Sequence, residues 1–176
     1  MSIPVEAIKY RNDGVTPYVY GKGPIASSIV KQYVKSKYPK VVCTVKSSSF
    51  ANGSSLDVYL SNPDGSSIDE VIYDDVDSFS GNFEYGRFCS YNDMYEVTDS
   101  SPLFTESGTQ IDPAVKYVHT NNKPAFGSVG DCVRMLRDMV DGKYVWGPIS
   151  MENAIGKIMD YNISRSTIDK ALVYIK

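Results

Sequence analysis

The residues able to do covalent chemistry are few. The 176-residue chain has one histidine, His119, and three cysteines, Cys43, Cys89 and Cys132. A Ser or Cys nucleophile with an imidazole base would rest wholly on His119. No Gly-x-Ser-x-Gly elbow and no paired His ligands accompany it. The cysteines are odd in number and widely spaced, without a Cys-x-x-Cys pair, which predicts reduced thiols in an intracellular setting. Gly21-Lys22-Gly23 resembles part of a phosphate loop but lacks the preceding strand and the glycine spacing. With Pro24 behind it, it reads as the start of a helix. The expectation is therefore no catalytic residue, no cofactor and no metal.

What remains is charge. Net charge is −3, but it is unevenly placed. Residues 1–46 carry eight basic and two acidic side chains, residues 47–112 one and thirteen, and residues 113–176 nine and six. The acidic block repels phosphate backbones and attracts a basic partner. Its densest part is Asp69, Glu70, Asp74, Asp75 and Asp77, the candidate partner-binding set; the plain alternative is a solvated acidic face. A second pattern lies near the end of the chain. A short turn, then Ser164, Ile168 and Leu172, is similar in layout to a helix-turn-helix, although Ile158 and Asn162 stand where a small residue and a glycine are usual. On that reading Ser164, Arg165, Thr167 and Lys170 would contact DNA. The aromatic run Phe83, Tyr85, Phe88, Tyr91 and Tyr95 has only Arg87 among it, so it reads as core and sheet rather than as a base-stacking platform.

The elements that must position these groups follow from periodicity. Residues 41–60 alternate apolar and polar on both sides of Asn52-Gly53, which predicts an antiparallel hairpin with a tight turn. Before it, Ile25, Ile29, Val30, Tyr33 and Val34 make the apolar stripe of a helix over 24–38, stopped by Pro39. After it, Asn62-Pro63-Asp64-Gly65 is a turn. Ser67-x-x-Glu70 reads as a capping box for an acidic helix with Ile68, Val71, Ile72, Val76 and Phe79 inward, ended by Gly81. A strand near 93–98 is expected to complete the sheet. Residues 99–113 read as an exposed loop, and 114–120 as a short strand or helical turn. The last fifty residues predict helices opened by Ser128, Ser150 and Ser164.

The fold expected is α+β: helix, antiparallel β-hairpin, helix and strand, with a C-terminal helical segment. Residues 1–112 would form an α+β domain with an N-terminal arm, and 113–176 a helical segment packed on the same core. No apolar run is long enough to span a membrane, and no signal pattern opens the chain. Fourteen tyrosines suit half-buried strands.

Residues 25–98 resemble a small α+β domain of the large polyvalent protein-associated group. The carriers are the helix ending VKSKYP, the strands VKSSSFANGSSLDVYL, the acidic helix IDEVIYDDVDSFSG and the aromatic segment FEYGRFCSYNDMYEV. The resemblance implies a phage or mobile-element protein acting in the host cytoplasm. With the small size, the acidic block and the lack of catalytic groups, it leads to the expectation of a non-enzymatic accessory protein that binds and inhibits a host defence component, as anti-CRISPR or anti-restriction proteins do. The alternative is a DNA-binding regulator using the C-terminal helices. The partner expected is a host protein, with nucleic acid second.

Overall fold

The computed structural model describes residues 22–51, 53–84 and 115–175, together with 8–10, 14, 17–19, 86–89, 94–97, 103–104 and 110–111. The order is β1 (Ile8–Tyr10), β2 (Pro17–Val19), α1 (Lys22–Lys37), β3 (Val42–Phe50), β4 (Gly53–Ser61), α2 (Glu70–Gly81), β5 (Gly86–Cys89), β6 (Met94–Val97), β7 (Leu103–Phe104), β8 (Gln110–Ile111), β9 (Tyr117–Asn121), α3 (Val129–Val140), α4 (Met151–Met159) and α5 (Arg165–Leu172). The chain is α+β with a C-terminal helical part, as its sequence pattern predicts. It divides into two compact units. The first is Met1–Lys37, Val45–Val58 and Asp74–Thr120; the second is Tyr38–Thr44, Tyr59–Tyr73 and Asn121–Lys176.

β3 and β4 form the expected hairpin, and β9 joins it on the β4 side. Alternation along β4 sends Leu56, Val58 and Leu60 into the interior. On the outer face Ser48 and Ser55 share a hydrogen bond of 2.7 Å across the pair. Asn52 of the turn lies outside the described residues. The segment near 93–98 does not complete this sheet: β6 pairs antiparallel with β5, Phe88 opposite Tyr95. Two four-residue strands close in sequence pair at little loop-closure cost, and the third position is left to β9. The N-terminal arm holds a strand pair, β1 with β2. Most of the predicted 99–113 loop lies outside the described residues, apart from the paired β7 and β8.

In the first unit, α1 buries Ala26, Ile29, Val30 and Val34, and α2 buries Val76 and Ser80. Phe83 is fully buried just past α2. Its ring meets Phe79 edge-on with centroids 6.0 Å apart, and Phe79 stacks on Tyr33 at 3.7 Å. Phe83 also accepts the Val115 N–H at 3.0 Å through its backbone, while the Glu84 carboxylate accepts the Val118 N–H at 2.7 Å. Val71, expected inside, is 75% exposed. The helix starts at Glu70, so Val71 falls in its first turn beside Asp74, on the solvent side.

In the second unit α3 is the central element and packs against α4 and α5. Its Cys132, Val133, Leu136 and Met139 are buried with Ala154, Ile158, Ile163, Ile168 and Ala171. Each of the three helices has its predicted serine cap: Ser128, Ser150 and Ser164 accept the N–H groups of Asp131, Asn153 and Thr167. Such caps hold about 1 kcal/mol each. Burial among apolar side chains pushes the Cys132 thiol up to about 11, with Asp131 adding to the rise. Cys132 is fully buried and packs in the apolar cluster of the second unit. The loop before α4 stacks Tyr144 on Trp146 at 4.9 Å, and the Lys157 ammonium of α4 lies 4.8 Å from the indole centre.

The turn after β4 is tied by short contacts. Gly65 donates to the Asn62 carbonyl at 3.0 Å and has φ +80°. The Asp64 carboxylate accepts both the hydroxyl and the N–H of Ser66, at 2.7 and 3.1 Å. Arg137 of α3 pairs with it at 3.5 Å. These bonds, Ser66 first and Arg137 after it, hold the Asp64 carboxyl below its ordinary range. The contribution to stability is thus present above pH 3.8 and is lost as pH falls through the lowered value. An NMR titration should place Asp64 below 3.8, and Ser66→Ala should move it back upward. An unmoved titration in that variant would show that Ser66 does not hold the carboxylate.

Candidate functional site

The structure separates the five predicted acidic residues by what they touch. The Asp69 carboxylate accepts the Val71 N–H at 2.9 Å, so Asp69 caps α2. Ser67, predicted for that task, donates instead to the Asn122 carbonyl at 3.2 Å. Asn122 also exchanges two bonds with the Ile68 backbone, 2.8 and 3.1 Å, which keeps residues 67–68 extended and delays the helix.

Asp75 is turned inward. It accepts the Tyr33 hydroxyl at 2.7 Å and the Lys37 ammonium at 2.7 Å, both from α1. Asp75, and then Tyr33, raise the Lys37 ammonium above its ordinary value. Glu70, Asp74 and Asp77 are exposed and form no ion pair among the described residues. Spaced i, i+4 and i+7, they share one face of the helix. α2 thus presents three carboxylates outward, with Val71 at their N-terminal end.

The C-terminal candidates also sit on one helix. Ser164 caps α5, and its hydroxyl lies 2.9 Å from that of Thr167. Arg165 pairs with Asp169 at 2.9 Å, both exposed. Lys170 is exposed. Asn162 has φ +58°, the only non-glycine among the described residues with positive φ. It therefore fills the conformational role of the glycine usual in such turns, because asparagine tolerates the left-handed region.

His119 is exposed on β9, its ring 6.3 Å from that of Tyr117. No group of three His, Cys, Asp or Glu side chains able to hold a metal occurs among the described residues. Nor is any helix among them long and apolar enough to cross a membrane. The side chains of Arg87 and Cys89 lie outside the described residues. Reasoning from sequence missed Arg137, which joins Asp64 to α3 and donates to the Tyr174 carbonyl at 2.7 Å. Its partners stand 73 and 37 positions away, and no local signal marks them.

Fold and surfaces together define an α+β chain with a carboxylate-bearing helix and a capped helical bundle. A family match covers residues 23–127, described as large polyvalent protein associated domain 29. The chain belongs to that family, which associates it with phages and mobile elements. The match runs further than the 25–98 resemblance and takes in β9 and the approach to α3. No curated protein matches the chain. No solved structure matches it either.

Proposed function

We propose that this chain is a non-enzymatic accessory protein of a phage or mobile element that binds a host defence component and inhibits it by occupancy. The observation that carries the reading is the outward face of α2. Three unpaired carboxylates on one rigid helix face suit a basic protein surface and would steer its approach. Family membership supplies the biological setting.

The test begins with purification of the partner from infected cells. Binding is then compared with the variant Glu70→Gln, Asp74→Asn, Asp77→Asn. These changes keep the helix and leave Asp69 and Asp75 in their structural contacts. Affinity should fall about tenfold or more, chiefly through slower association, and the loss should shrink with added salt. Unchanged affinity in the folded variant would remove α2 from the interface. Inhibition should also titrate one-to-one with its target, and His119→Ala should retain it. Full protection at catalytic amounts would make the protein an enzyme instead.

A second reading, a DNA-binding regulator, is favoured by the left-handed Asn162 turn leading into the capped α5. Ser164, Arg165, Thr167 and Lys170 would then meet the duplex. A mobility shift at low salt and micromolar protein would support it, and no shift would exclude it, because even non-specific binders have affinity there.

A further inference from the structure

We draw no further inference here: the strongest candidate, the open apolar groove of the second unit beside α3 and α5, walled by Val42, Pro63, Val129, Val173 and Tyr174, carries nothing because nothing in the structure shows what covers it.

Discussion

Gly65→Ala should destabilise the protein by about 3 to 5 kcal/mol, which a urea midpoint reads directly. Two costs add. Gly65 has φ +80°, where a side chain is strained. In addition, a Cβ there would fall on the carbonyl oxygen of Gly130, and backbone has little freedom to withdraw. Gly127→Ala separates the two terms. Its φ is +76°, and its Cβ would meet nothing within 4 Å. It should therefore cost only about 1 kcal/mol, the backbone term alone. Equal losses in the two variants would show that the close approach of the 62–65 turn to the start of α3 carries no energy.

The second large effect belongs to the first unit. Phe83→Ala should cost about 3 to 5 kcal/mol, because a fully buried ring is removed and the site cannot collapse freely. The ring braces Phe79, which in turn stacks flat on Tyr33 with planes 3° apart. The cavity should therefore reach Tyr33, and the near-ultraviolet dichroism of the folded variant should weaken. Phe83→Leu keeps most of the volume and should cost less than about 2 kcal/mol. A near-neutral Phe83→Ala would mean that the aromatic row is not a packing unit.

Local chemistry was legible in the sequence and distant partnership was not. Alternation gave the hairpin, and Pro63-Asp64-Gly65 gave the turn. Serines in front of apolar stripes gave three helix starts, because a cap bonds within its own first turn. Ser67 has the same local signature, yet its hydroxyl goes to Asn122, 55 residues on. Asp75 looks like its acidic neighbours until α1 supplies Lys37, 38 residues earlier. The same limit hid β9 as the third strand of the hairpin sheet. Within the candidate acidic set the sequence does not separate members that hold the fold from members that face water. α1 takes Asp75 through Tyr33 and Lys37, and Asp69 caps its own helix, which leaves Glu70, Asp74 and Asp77 outward.

The pairing of Tyr144 with Trp146 under the Lys157 ammonium has a practical use. Trp146 is the only tryptophan in the chain. Red-edge excitation of the indole therefore gives light from a single place, the junction of the loop with α4. A stacked phenol and a nearby cation change when that junction opens, and the emission changes with them. The protein thus carries its own optical gauge of one seam in the helical unit, readable at dilutions where no added label is needed.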